Sequence, residues 1–166
     1  QSSITMGLNP IPLDTYCQFA ARMFNLGERS IEEDVVRSVY EDYNGCTWFM
    51  QMMMNELFAL TPMREKCVKS MLPQAKRGII LSQEQTYKET LSQMAPRQKM
   101  LLQAIARDKE ARNITSQEFI SRHSLPSASS VQSAAKGLLS SDIITKDDDA
   151  YRIYDYFFSE WLAKVY

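Results

Sequence analysis

Ser129, Gln132, Ser133 and Lys136, with Ser130 near the start, lie on one side of a segment whose other side, Val131, Ala134, Ala135 and Leu138, repeats at i, i+3, i+4 and i+7. Hydroxyls, an amide and an ammonium on the solvent side of a helix can hydrogen-bond base edges in a DNA major groove and meet a phosphate. Two more cations, Lys146 and Arg152, flank Asp147-Asp148-Asp149 a little further on. Phosphate contacts supply most of the affinity for a duplex and need several Lys or Arg residues. A loop carrying three negative charges opposes such contacts. These seven polar residues are the candidate nucleic-acid contacts, and their charge pattern predicts weak, salt-sensitive binding. A solvated helix face and an acidic turn that keeps a hairpin soluble account for the same residues.

Other chemistries find no support. The glycines at 7, 27, 45, 78 and 137 form neither Gly-x-x-x-x-Gly-Lys-Ser/Thr nor Gly-x-Gly-x-x-Gly, so nothing here cradles a nucleotide. No His-Glu-x-x-His occurs, and the aspartate triplet lacks the glycine that a calcium loop needs for its sharp turn. His123, the only histidine, reads as a capping or surface residue. Cys17, Cys46 and Cys67 are odd in number, lack metal-ligand spacing and have no histidine nearby in sequence. Met50, Met52, Met53 and Met54 read as core filler. No catalytic, cofactor-binding or metal-binding residue is assigned, and the chain by itself is not expected to be an enzyme.

The elements that must position the candidate residues follow a recognisable order. Residues 97–107 are amphipathic. Thr115-Ser116-Gln117-Glu118 reads as a capping box opening a short helix. Leu125-Pro126-Ser127 turns into the helix that carries the polar face. Ile143-Ile144-Thr145-Lys146 and Tyr151-Arg152-Ile153-Tyr154 read as a hairpin around the aspartates, and an aromatic helix closes the chain. That order predicts a winged helix-turn-helix over residues 96–166.

Upstream, residues 1–12 read as extended and turn-rich, with two X-Pro steps. Residues 13–60 predict a small helical bundle. Its first helix is capped by Asp14 and stopped by Gly27 in a left-handed conformation; its second is opened by a Ser30–Glu33 capping box. Its third runs from Thr47 to Leu60 and is apolar on most sides, as for a helix at a bundle's centre. Residues 61–95 read as connector helices, with Pro73 starting or kinking a long one. The expected fold class is therefore mainly α: a helical bundle, then a winged helix with a short β-hairpin.

Composition limits the partners. Apolar residues make up 45% and charged residues 23%, as in an ordinary soluble domain. Residues 1–95 carry 9 basic and 11 acidic side chains and residues 96–166 carry 10 and 9, so neither half has the positive bias of a dedicated nucleic-acid binder. No apolar run is long enough to span a bilayer, so no membrane partner is expected. The first residues do not form a signal peptide, and the unpaired thiols fit a reducing, cytoplasmic compartment. The absence of a starting Met is read as the mark of a fragment.

Several segments together resemble the C-terminal part of a group of prokaryotic, archaeal-type AAA+ ATPases related to origin-recognition initiators. They are Pro10-Ile11-Pro12-Leu13-Asp14-Thr15-Tyr16, Gly45-Cys46-Thr47-Trp48-Phe49-Met50-Gln51, Gln98-Lys99-Met100-Leu101-Leu102-Gln103-Ala104-Ile105-Ala106, Leu125-Pro126-Ser127-Ala128-Ser129-Ser130-Val131-Gln132 and Asp155-Tyr156-Phe157-Phe158-Ser159-Glu160-Trp161-Leu162. The fourth is the most specific. The resemblance implies that residues 13–60 are the lid that closes over ATP and that 96–166 is the appended winged helix. ATP and Mg would then belong to a full-length parent whose nucleotide-binding α/β domain is missing here. Such a parent would move the module against DNA or a protein partner, and could oligomerise. The lid of many AAA+ proteins lends an arginine to the γ-phosphate, but Gly45-Cys46-Thr47-Trp48 offers neither Arg nor Lys. No nucleotide contact is carried over, and Arg22 and Arg37 read as solvated helix residues. The alternative is a free-standing winged-helix transcription regulator with a helical dimerisation region.

Overall fold

A computed structural model of the chain describes residues 10–165, so most of the extended segment expected over 1–12 lies outside the described residues. The chain divides into two compact units, residues 1–79 and 80–166. The first holds α1 (Leu13–Leu26), β1 (Ser30–Ile31), α2 (Glu33–Asp42), α3 (Thr47–Leu60), β2 (Lys66–Cys67) and a 3-10 turn at Lys69–Met71. Helix α4 (Leu72–Ser92) carries the division between the units. Pro73 sits in its first turn, where its missing N–H removes no helical hydrogen bond. The second unit continues with α5 (Pro96–Asp108), α6 (Gln117–Arg122), α7 (Ala128–Ser140), β3 (Ile144–Asp147), β4 (Ala150–Ile153) and α8 (Tyr156–Val165).

In the first unit, one face of each helix goes inward. Tyr16, Ala20 and Phe24 of α1 are buried, as are Val35, Val36 and Val39 of α2 and Phe49, Met50, Met53, Met54 and Leu57 of α3. Helix α3 is less enclosed than its composition predicts: Trp48 is 68% exposed, and Gln51 donates to Asn55 on a solvent-facing side.

The local signals at the helix ends also resolve differently. Pro12, not Asp14, is the N-cap of α1; Asp14 lies in the first turn, where the helix dipole favours a carboxylate. Ser30 does not cap α2, because its backbone is used by a two-residue parallel ladder, with Ser30 N–H donating to Glu65 O and Glu32 N–H to Cys67 O. Gly27 has an ordinary φ of −93°, and the left-handed residue after α1 is Glu28 at +55°. Glycine is required at 27 for space, since a methyl there would run into the Phe58 ring.

The second unit is built on α5, α7 and α8. Leu101, Leu102, Ala104, Ile105 and Ala106 of α5 pack inward with Val131, Ala134, Ala135 and Leu138 of α7 and Phe157, Phe158, Trp161 and Leu162 of α8. Burying each of the Leu, Ile, Val and Phe side chains among them is worth about 1.5–3 kcal/mol. The C-terminal part of α4 joins it: the Tyr87 ring lies 4.9 Å from Phe158 and 5.7 Å from Trp161. The expected capping box at Thr115 is shifted by one residue. Ser116 caps α6, its hydroxyl accepting from Phe119 N–H at 3.2 Å, and Thr115 is left exposed. Ser127 caps α7 in the same way through Ser130 N–H.

Strands β3 and β4 pair antiparallel, from Ile144 opposite Ile153 to Asp147 opposite Ala150. A further antiparallel bridge adds Ala111 to the outer edge of β4, with Ala111 and Tyr151 exchanging both N–H···O bonds at 2.9 and 2.8 Å. This hairpin is the wing.

Candidate nucleic-acid interface

An open cleft of about 890 Å³ lies between the outer face of α7, the wing and residues 113–115. Its helix wall carries Ser129, Gln132, Ser133 and Lys136, all exposed because Val131, Ala134, Ala135 and Leu138 hold the opposite face of α7 in the core. Its wing wall carries Lys146, Asp149 and Tyr151. Five of the seven candidate residues therefore line one concavity.

The other two do not. Ser130 is half-buried in the first turn of α7. Arg152 stands opposite Thr145, while Lys146 stands opposite Tyr151, so strand alternation sends Arg152 to the other side of the hairpin. There its guanidinium donates to the Tyr156 hydroxyl at 2.7 Å and lies over that ring.

The cleft has residues that the polar pattern alone did not single out. Asn113 and Thr115 enter because the bridge at Ala111 pulls the segment after α5 beside the wing. Asp149 enters because the hairpin loop is only two residues, Asp148 and Asp149, both at positive φ (44° and 64°). Positive φ at both positions is the type I′ arrangement that suits the twist of a tight hairpin. Lys146 Nζ lies 2.8 Å from Asp149 Oδ1 and 5.5 Å from the Tyr151 ring centre. The ion pair with Asp149 raises the Lys146 pKa and lowers that of Asp149. Arg112 steadies the tip by donating to the Asp148 carbonyl at 2.9 Å, and also pairs with Glu110.

His123 ends α6 as its C-cap, with its side chain 5% exposed and Nε2 3.2 Å from Asp108 Oδ2. Arg122 binds the same carboxylate at 2.5 Å, so the histidine belongs to a structural cluster. Among the described residues no group of three or more His, Cys, Asp or Glu converges as metal ligands. No described helix is long and apolar enough to cross a membrane.

The order α5–α6–α7, the hairpin packed on α7 and the bridge at Ala111 coincide with a family-model match: residues 85–164 fit the model described as a probable winged helix domain. Residues 85–164 are a winged helix domain. The domain begins inside α4, which fits the packing of Tyr87 against α8. Among solved structures, the chain is similar to a Walker-type ATPase of Pyrococcus abyssi, with 16% identity and a TM-score of 0.66 over 94% of this chain and 43% of that one. The chain thus spans less than half the length of that ATPase, and the likeness is one of fold. At that level it meets the resemblance read from the sequence. No curated protein matches the chain.

Proposed function

We propose that this chain is the lid and winged-helix portion of an AAA+-type ATP-binding protein, and that the cleft between α7 and the wing is where it meets duplex DNA. The observation that carries the DNA reading is the convergence of Ser129, Gln132, Ser133, Lys136 and Lys146 on one open cleft. In this reading α7 lies along the major groove. Its hydroxyls and Gln132 meet base edges or sugar, Lys136 approaches a phosphate, and the wing with Lys146 lies alongside the backbone.

The described residues do not fit a bound ATP or Mg²⁺. No metal-ligand cluster is present among them, no glycine loop offers a row of amides, and the N-terminus of α3 carries Cys46, Thr47 and Trp48 without a cation. In this reading nucleotide chemistry belongs to other parts of such a protein.

Two lysines set the scale. Each neutralised phosphate adds about −0.9 to the slope of log K against log salt, so the slope should be no steeper than about −2. Fluorescence anisotropy of the full chain with a labelled duplex, over a salt series, tests this. Binding in the micromolar range or weaker at low salt, further weakened by Lys136→Gln, is expected. No detectable binding at low salt, or binding that Lys136→Gln leaves unchanged, sinks the DNA reading.

One observation favours a second reading, in which the bundle pairs with another protein or a second copy. Phe19, Met23 and Leu26 of α1 are 47%, 46% and 71% exposed at successive turns of one helix face. Sedimentation of the chain against a Leu26→Glu variant tests it: a dimer in the parent and a monomer in the variant supports it, and monomers in both exclude dimerisation.

A further inference from the structure

We infer that Asp149 is a specificity-determining residue of the cleft: by engaging Lys146 it withholds the wing's cation from phosphate and leaves Lys136 to answer the DNA backbone. This deepens the proposed DNA reading and rests on it for its biological meaning, though not for its physical test.

Four features hold the arrangement. The loop between Asp147 and Ala150 has no slack, because its two residues are both in the left-handed conformation. Asp is among the few residues other than glycine that visit this region routinely. The Arg112 hydrogen bond to the Asp148 carbonyl and the paired bonds at Ala111 fix the wing from its far edge. Within that frame Lys146 and Asp149 are three residues apart in sequence, Nζ lies 2.8 Å from Oδ1, and both line the cleft. The Tyr151 ring under Lys146 Nζ keeps the ammonium on the cleft side of the hairpin.

The other nearby cations are occupied elsewhere. Arg152 is turned to Tyr156 on the reverse face, and Arg112 is shared between Glu110 and the Asp148 carbonyl. Lys136 forms no ion pair among the described residues. A phosphate approaching the wing must either displace the Asp149 carboxylate or sit beside it, and like charges brought together oppose binding. The wing then contributes hydrogen bonds and shape, and little net charge. Exposed ion pairs add little to stability, so removing Asp149 should leave the fold intact and act on ligands.

The test uses Asp149→Asn, Asp148→Asn, Lys146→Gln and the Asp149→Asn/Lys146→Gln double variant of the full chain. With a labelled duplex, the parent should show a salt slope of about −1, from Lys136 alone. Asp149→Asn should steepen it to about −2 and tighten low-salt binding about fivefold. Lys146→Gln alone should change little and should cancel the gain in the double variant. Equal gains from Asp148→Asn and Asp149→Asn, or a gain that survives loss of Lys146, overturns the inference in favour of net charge alone.

A second probe works even if the duplex does not bind. Inorganic tripolyphosphate added to ¹⁵N-labelled protein should shift the Lys146 and Tyr151 amides in Asp149→Asn and barely in the parent. Equal shifts in both proteins overturn the proposal. Absence of duplex binding in every variant, together with the expected tripolyphosphate result, would refute the DNA reading and leave the role of Asp149 standing.

Discussion

Replacing Asp155 by Asn should leave the protein at least as stable at pH 7 and lose its advantage as the pH falls towards 4. Asp155 stands just before α8, and its Oδ1 accepts from the Phe157 and Phe158 N–H groups at 2.9 and 3.1 Å. These are donors that the helix cannot satisfy internally. The carboxylate is half-buried against the Tyr87 side of the core, and burial raises its pKa above the ordinary value, against the lowering effect of the two amides and the Tyr87 hydroxyl.

A raised folded-state pKa means that the protonated acid is the better-tolerated form. Its contribution is fully present below the unfolded value of about 3.9 and is lost as pH rises through the folded value. Asn keeps an oxygen for the cap and never ionises, so its advantage over Asp should grow with pH across that window. Asp155→Ala separates the two roles: it abolishes the cap, which is worth about 1 kcal/mol, or about 2–4 °C in Tm for a chain of this size. Urea and thermal unfolding between pH 4 and 8 read this out, using Trp161 fluorescence in a Trp48→Phe background. Trp48 is largely exposed, so its loss should be mild. An Asn variant whose deficit against the parent grows as the pH rises would show that the ionised carboxylate is welcome there, contrary to the raised pKa.

Other expectations follow from single contacts. Gly27→Ala should destabilise by about 1–3 kcal/mol in urea unfolding, because the new methyl meets the Phe58 ring, which is itself held under the Arg29 guanidinium at 4.3 Å. An unaffected midpoint would mean that the ring moves aside freely. Cys67 is fully buried with its thiol pKa pushed up by burial, so iodoacetamide at pH 8 should modify it about tenfold more slowly than Cys46. Mass spectrometry of timed samples measures the order, and early modification of Cys67 would contradict the packing of β2.

The winged helix was legible because several levels of its sequence agree. The Val131–Leu138 stripe, the Leu125-Pro126-Ser127 turn and the aspartates between two β-type runs all specify the same path. The features that the sequence concealed are those made by single residues or by backbone groups. Nothing in Ala111 announces a bridge to the wing, since its contribution is two backbone bonds to Tyr151. Ser30 and Glu33 have the right spacing for a capping box, but a ladder with Lys66 and Cys67, distant in sequence, claims the Ser30 backbone. Arg152 and Lys146 look equivalent on either side of the aspartates until the register separates them by strand face. Asp149 looked like a solubilising charge because its partner depends on a loop of only two residues.

The most direct test of the proposed interface is to map a short DNA duplex onto the ¹⁵N-labelled chain at low salt. Amide shifts should be confined to Ser129, Gln132, Ser133, Lys136 and residues 113–115, with smaller ones at Tyr151, all fading as salt is raised. Shifts centred on α1, or on the Arg152 side of the hairpin, would contradict it.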